Sequence, residues 1–309
     1  MDGIFFLLLA FFTIYTSIKL SYYGDKLSKE SKLGSAFIGG LLIASITSLP
    51  EFVTSLSAVF LDNPTLSFGD IVGSNMFNIF ILAVYNIYFF YSDFFKNSSR
   101  KHVIECIILI IDYIFIVIGT YNIFINYISM ILIIMYIIYM IFICKSEKED
   151  KKNYSKEKYL IIKFILTAIL MIFLSILLTY EANKISINYP NFSSSSIGAI
   201  LLGITTSLPE VVTTFALIKL NNYDMAISNM LGSNIFNFLV LTIVNIFIKN
   251  DHIYNYSDKY SLFYLLGGLL VTILLLNLIF INKAKKIFYL TISILIISSY
   301  LYVWYLQFS

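Results

Sequence analysis

Thr47-Ser48-Leu49-Pro50-Glu51 lies inside a run that is otherwise mostly apolar from Leu33 to Leu61. A helix needs about 20 apolar residues to cross the hydrocarbon core of a bilayer, so this run reads as a membrane span with a proline and a carboxylate near its middle. The same five letters return as Thr206-Ser207-Leu208-Pro209-Glu210 within the run Ile197 to Leu220. A second block behaves alike: Gly73-Ser74-Asn75-Met76-Phe77-Asn78 answers to Gly232-Ser233-Asn234-Ile235-Phe236-Asn237. Both pairs share one offset of 159, and residues 37–86 laid over 196–245 without a gap are identical at 19 of 50 positions. The chain is therefore an internal duplication, and its polar residues inside apolar helices match one for one.

Outward from these blocks, apolar runs cover Ile4 to Leu20, Leu33 to Leu61, Ile71 to Tyr91, Val103 to Tyr121 and Tyr127 to Cys144, then Tyr159 to Tyr180, Ile197 to Leu220, Met225 to Ile248, Leu262 to Ile281 and Ile287 to Tyr305. The expected fold is an all-α polytopic membrane protein with ten transmembrane helices. Of the 309 residues, 59% are hydrophobic and 13% charged, which excludes an ordinary soluble domain. The first run follows Met1 and Asp2 with no basic segment or cleavage site, so it reads as a retained helix. Five spans separate equivalent motif positions. That odd number makes the halves inverted five-helix repeats, residues 1–145 and 159–309, joined by a charged linker over 146–158. Inverted repeats of this kind place a transporter's substrate near the midplane.

Basic residues fall on one side: Lys26, Lys29 and Lys32; Lys96, Arg100 and Lys101; Lys145, Lys148, Lys151, Lys152, Lys156 and Lys158; Lys283, Lys285 and Lys286. The other side holds Lys184, Lys249 and Lys259. Cytoplasmic loops carry the Lys/Arg excess, so the linker is expected in the cytoplasm and both termini outside it. The net charge of +3 is then a topology signal with no nucleic-acid footprint. Cys106 and Cys144 read as small apolar packing residues. His102 and His252 sit at loop edges without ligand partners at zinc spacing.

Pro50 and Pro209 lack a donor N–H and crowd the carbonyl four residues earlier, so the second and seventh helices are expected to break there. The carbonyls of Ile46 and Thr205 are then freed, which a membrane tolerates only in a protein interior or a polar cavity. Glu51 and Glu210 follow directly. A charge near the bilayer centre costs roughly 3 kcal/mol or more, and the repeats hold no lysine or arginine at that depth to offset it. A bound cation or a proton is the remaining partner. Around the glutamates stand hydroxyls of Thr47, Ser48, Ser74, Thr206, Ser207 and Ser233 and amides of Asn78 and Asn237. On a helix Thr47, Ser48 and Glu51 share one face, as do Ser74 and Asn78. All are hard oxygen donors, the set that calcium takes six to eight of and that sodium accepts with less negative charge.

The two TSLPE segments and the two GSNxFN segments resemble the alpha-repeats of the calcium/cation antiporter superfamily, specifically its prokaryotic sodium/calcium exchanger type. The similarity is strong over residues 33–90 and 192–248 and extends to the ten-span plan. It implies a secondary antiporter, not an enzyme, that exchanges calcium for sodium by alternating access in a prokaryotic plasma (inner) membrane. No cofactor, obligate protein partner or nucleic acid is implied; the partners are the two ions and the bilayer. It further implies that Glu51 and Glu210 share calcium and sodium, and that Thr47, Ser48, Ser74, Thr206, Ser207, Ser233 and the carbonyls of Ala44 and Gly203 complete flanking sodium sites. Asn78 and Asn237 close the centre, and the first and sixth spans slide across it. Two departures stand out. Ile46 and Thr205 occupy a position that is glycine in many relatives, and Asn237 occupies one that is often aspartate, which argues against potassium co-transport.

Two further acids need a place. Asp70 is expected at a helix N-terminus, favourable to the macrodipole, with a vestibule role as the alternative. Asp112 lies deep in the fourth span, either a protonated interhelical donor or an accessory cation ligand. The competing functions are calcium/proton exchange, in which protons replace sodium on the glutamates, and, from a different class, a cation channel or a transport-inactive membrane protein. The clustering of polar residues at mid-depth, with apolar flanks, favours exchange over a continuous pore.

Overall fold

The computed structural model describes residues 2–30, 44–89, 94–95, 99–145, 159–189, 191–219, 221–281 and 285–307. Among these the regular structure is helical, with no strand: α1 (Asp2–Glu30), α2 (Ala44–Thr47), α3 (Leu49–Phe60), α4 (Pro64–Tyr88), α5 (His102–Thr120), α6 (Ile125–Lys145), α7 (Leu160–Asn188), α8 (Ser194–Ile197), a π-helical turn Gly198–Leu202, α9 (Gly203–Lys219), α10 (Tyr223–Asn245), a 3-10 turn Ile253–Tyr256, α11 (Lys259–Phe280) and α12 (Lys286–Leu306). Nine stretches of the described residues are long and apolar enough to cross a membrane, with α8 through α9 counting as one, and α3 is a shorter apolar helix. The second predicted span falls on α2 and α3; its first part, residues 33–43, lies outside the described residues, as does the linker 146–158.

Helices that carry the duplicated motifs form the centre. In α4 and α10, 72% and 83% of the most apolar window is buried, against 17% for α6 and for α7. The peripheral helices turn large apolar side chains outward, among them Ile133, Ile137, Leu166 and Phe173. In water such a surface would drive aggregation, whereas in lipid it is solvated.

Both central helices begin in the same way, 159 residues apart. Asp62 and Asn221 adopt a left-handed backbone with φ of 56° and 57°, a conformation Asp and Asn tolerate. The next residues, Asn63 and Asn222, cap α4 and α10 by accepting from the backbone N–H of Leu66 and Met225. The turn also reverses the chain identically, with Asn63 N donating to Ala58 O and Asn222 N to Leu217 O, both at 2.9 Å.

Glycine lets α4 cross the α8–α9 stretch with backbones in contact. A Cβ on Gly69 would lie 2.2 Å from the Ser195 carbonyl oxygen, and one on Gly203 would lie 2.9 Å from the backbone N of Ser74. This approach brings Ser74 Oγ to 3.3 Å from Gly203 O. Small residues at helix crossings do this repeatedly in membranes, where dispersion rather than the hydrophobic effect drives association.

The two prolines act differently. At Pro50 the expected break is present: α2 ends at Thr47, Ser48 is a turn residue, and α3 starts at Leu49 with the proline in its first turn, where a missing N–H costs nothing. At Pro209 the expected break is absent, because α9 runs unbroken through the proline from Gly203 to Lys219. The irregularity lies upstream, in the π-helical turn Gly198–Leu202.

Candidate cation site

The α2–α3 break and α9 bring the two Pro-Glu motifs together, and each glutamate is held by the other repeat. Ser48 Oγ donates to Glu210 Oε1 at 2.9 Å, and Ser207 Oγ donates to Glu51 Oε1 at 3.0 Å. Residues 48 and 207, like 51 and 210, differ by the repeat offset, so these are one contact made twice. Such reciprocity is the signature of a local two-fold axis. Both glutamates are fully buried, and they lie close enough to repel one another. Thr47 and Ser233 also reach the Glu210 carboxylate, with Ser233 Oγ 3.5 Å from Oε1.

The asparagines of the second block form a matching lattice between α4 and α10. Asn75 Nδ2 donates to Asn234 O at 3.1 Å, and Asn234 Nδ2 returns the bond to Asn75 O at 2.9 Å. A main-chain carbonyl only accepts, so the Oδ1 atoms of Asn75 and Asn234 remain as acceptors. Asn237 Nδ2 fills the first and Asn78 Nδ2 the second, each at 2.9 Å. The network thereby fixes how Asn78 and Asn237 are turned: each amide nitrogen gives a bond to the lattice, and each Oδ1 is left over.

Four buried oxygens result that no donor among the described residues satisfies, Oε2 of Glu51 and of Glu210 and Oδ1 of Asn78 and of Asn237. All four are acceptors, and they come in two repeat-related pairs. Neither glutamate has an ion-pair partner among the described residues. Leaving a buried acceptor unpaired costs about 1–3 kcal/mol each, more where charge is involved. Acceptor oxygens of this kind are the donor type that hard cations take. No group of three or more His, Cys, Asp or Glu side chains suited to a metal occurs among the described residues, and a transition-metal centre does not fit this donor set.

Each residue singled out from sequence can now be placed. Glu51, Glu210, Ser48, Ser207, Thr47, Ser74, Ser233, Asn78 and Asn237 are fully buried in or beside this cluster. Thr206 is equally buried, but its Oγ1 donates to Leu202 O at 2.9 Å, tying α9 to the π-helical turn. Gly203 O accepts from Ser74. Ala44 opens α2, and its side chain lies outside the described residues.

Asp70 departs from expectation. The helix starts at Pro64 under the Asn63 cap, so Asp70 lies in its second turn, fully buried, away from the N-terminus. Its Oδ2 accepts from Thr54 at 2.6 Å and Ser55 at 3.1 Å, Ser74 also reaches it, and Oδ1 has no partner among the described residues. The repeat-related residue is Asn229, whose Nδ2 donates to Thr214 Oγ1 at 3.0 Å. The N-terminal half thus carries a third carboxylate beside the glutamates where the C-terminal half has a neutral amide. Asp112 is buried with Oδ1 unpartnered. Asn75 and Asn234 were not singled out, although the shared GSN letters offered them as plainly as their neighbours.

A family model described as sodium/calcium exchanger protein matches residues 3–145 and 159–309. Among curated proteins, the chain is 22% identical over 243 residues to the inner membrane protein YrbG of Escherichia coli, covering 74% of each chain. It is 25% identical over 233 residues to the uncharacterized membrane protein MJ0091 of Methanocaldococcus jannaschii, covering 70% of this chain and 74% of that one. Among solved structures, native YfkE superposes with a TM-score of 0.72 at 15% identity, covering 100% of this chain and 93% of that one. The sodium-calcium exchanger NCX_Mj, soaked with 2.5 mM Na+ and 0.1 mM Ca2+, superposes with a TM-score of 0.60 at 20% identity, covering 97% and 96%.

Proposed function

This chain belongs to the sodium/calcium exchanger protein family, integral membrane transporters rather than enzymes, and from that premise we propose that it exchanges calcium for sodium at the paired Glu51–Glu210 centre. The observation that carries the reading is the set of four unsatisfied acceptors, Oε2 of Glu51 and Glu210 and Oδ1 of Asn78 and Asn237. Two carboxylates balance one divalent ion, and the neutral oxygens of Thr47, Ser48, Ser74, Ser207, Ser233 and the nearby carbonyls fill out a coordination shell of six to eight. Thr206, Ala44 and Gly203 belong to the same flanking shell in this reading, Thr206 through a rotation of its hydroxyl off Leu202 O.

Exchange follows from competition. Sodium ions bound against the same carboxylates neutralise them as calcium does, so the two occupancies exclude each other and only a neutralised site crosses the membrane cheaply. For alternating access the moving part is the α1–α7 pair. These helices pack against each other and against the core through a small cluster of Phe6, Leu9, Ala10, Leu178 and Ala182, separate from the main apolar core. Shallow alanine contacts suit sliding better than interlocked large side chains do. The protein would reside in a prokaryotic inner membrane, with both termini on the side opposite the basic loops.

The test is calcium uptake into liposomes. Uptake should follow an outward sodium gradient and collapse when that gradient is dissipated. Equal uptake driven by a proton gradient alone, without sodium, would assign the site to calcium/proton exchange instead.

A further inference from the structure

His102 sits where α5 and α10 both begin, and its imidazole is fully buried. Nδ1 lies 2.7 Å from Glu105 Oε2, and Nε2 lies 3.1 Å from Asp224 Oδ1. A neutral imidazole has one donor and one acceptor nitrogen, and carboxylate oxygens on both sides accept. With both carboxylates ionised, both ring nitrogens carry protons, and the ring is an imidazolium clamped between two anions. Glu105 is also bound from α10, since Ser228 Oγ donates to its Oε1 at 2.9 Å. Asp224 is further fixed by the backbone N–H of Ser99 at 2.6 Å. Its side chain is 39% exposed, which gives protons a route from water to the buried ring.

The clamp matters because of what α10 carries. Between one and four turns beyond Asp224 and Ser228 the same helix presents Ser233, Asn234 and Asn237 to the cation cluster. We propose that His102 is a positioning residue for ion exchange, its imidazolium locking the start of α10 against α5, so that transport depends on the pH at the membrane face bearing the basic loops. The proposal rests on the exchanger reading above. The remaining charged or titratable neighbours are Lys101, near Asp224, and Cys106 and Tyr139, near Glu105; of these Lys101 is the cation that remains when the ring gives up a proton. Deprotonation leaves a ring that can donate to one carboxylate only, and the contact to the other becomes repulsive. The lock is therefore present at low pH and released as pH rises.

The experiment sets the pH independently on the two faces of proteoliposomes. Raising it on the His102 face from about 6 to about 8 should lower wild-type exchange by roughly tenfold, the factor that one lost charge-assisted hydrogen bond corresponds to. His102→Arg keeps a permanent cation with several donors, so it should retain exchange and lose the pH response, while His102→Gln should be slow at every pH. A His102→Arg profile that falls in parallel with wild type overturns the proposal. A second measurement needs neither a variant of His102 nor transport. The chain has two histidines, so nitrogen-15 spectra of the intact protein, with His252→Gln used to assign them, should show both ring nitrogens of His102 protonated at about pH 6. A neutral ring there overturns the proposal, whereas absence of any calcium exchange in wild type overturns the exchanger reading and leaves the spectrum to decide the clamp.

Discussion

Glu51 and Glu210 each accept at one carboxylate oxygen from a serine of the other repeat, and the second oxygen has no partner among the described residues. An apolar membrane interior does not tolerate that arrangement unless something else comes to the free oxygens. Glu51→Gln and Glu210→Gln keep the shape and the serine contact but remove the charge. Each should cut calcium uptake by about 100-fold or more, the upper range seen when even an outer-shell partner of a metal site is lost, while thermal stability holds or rises. Wild-type uptake in either variant would remove the glutamates from the site. Asp70→Asn makes the N-terminal half match Asn229 and takes one negative charge from beside Glu51. It should leave the fold intact and weaken calcium affinity by about tenfold or more, since a unit charge is worth roughly 1.4 kcal/mol even at about 12 Å with an effective dielectric of about 20; an unchanged calcium titration would make Asp70 a purely structural hydroxyl acceptor. The glutamates, hydroxyls and outer asparagines were legible in the sequence because polar residues inside apolar runs are costly and these recur at one offset. Asp70 was visible but misplaced, since the Asn63 cap that starts the helix six residues earlier is an ordinary asparagine in any sequence reading. The His102 clamp was invisible: its three charged members are scattered over two helices and meet only in the fold.

At the scale of the element, identical letters gave unlike helices. Pro50 stands in the first turn of α3 after a break, whereas Pro209 stands inside an unbroken α9. Sequence tells that the carbonyl four residues before each proline loses its donor, and this holds at both; it does not tell whether the chain responds by stopping or by running on as a helix. At Pro209 the helix runs on, and the π-helical turn Gly198–Leu202 lies about two turns upstream. Pro209→Ala restores an N–H to Thr205 O in a helix already shaped to receive it. Melting in detergent should move upward by an amount corresponding to about 1 kcal/mol, the net value of one hydrogen bond. If the Thr205 carbonyl serves sodium, half-maximal exchange should then need several-fold more sodium. A gain in stability with an unchanged sodium dependence would exclude that carbonyl from the site. The left-handed turns at Asp62 and Asn221 were better encoded, because Asp-Asn and Asn-Asn before a helix combine a residue that tolerates positive φ with one that caps.

At the scale of the molecule, the all-helical membrane architecture was read from the length and number of the apolar runs. What those runs leave open is which way the bundle faces, since each half is built to work in either direction. Only the charged loops break that symmetry: fifteen lysines and arginines on one side, from Lys26 to Lys286, stand against Lys184, Lys249 and Lys259 on the other. A basic loop is costly to move across an energised membrane, so the proposal is that the populated side remains in the cytoplasm. Two introduced thiols decide it, in a background where Cys144 is replaced by alanine and Cys106 is left buried. Lys249→Cys, at an exposed position after α10, should react with a membrane-impermeant reagent added to intact cells. Asn153→Cys, in the charged linker, should react only after the cells are permeabilised. The reverse pattern would invert the molecule and move His102, whose helix follows Arg100 and Lys101, to the outer face. The pH response of exchange would then answer to the medium instead of the cytoplasm, because α5 and α10 begin on the side where those basic residues lie.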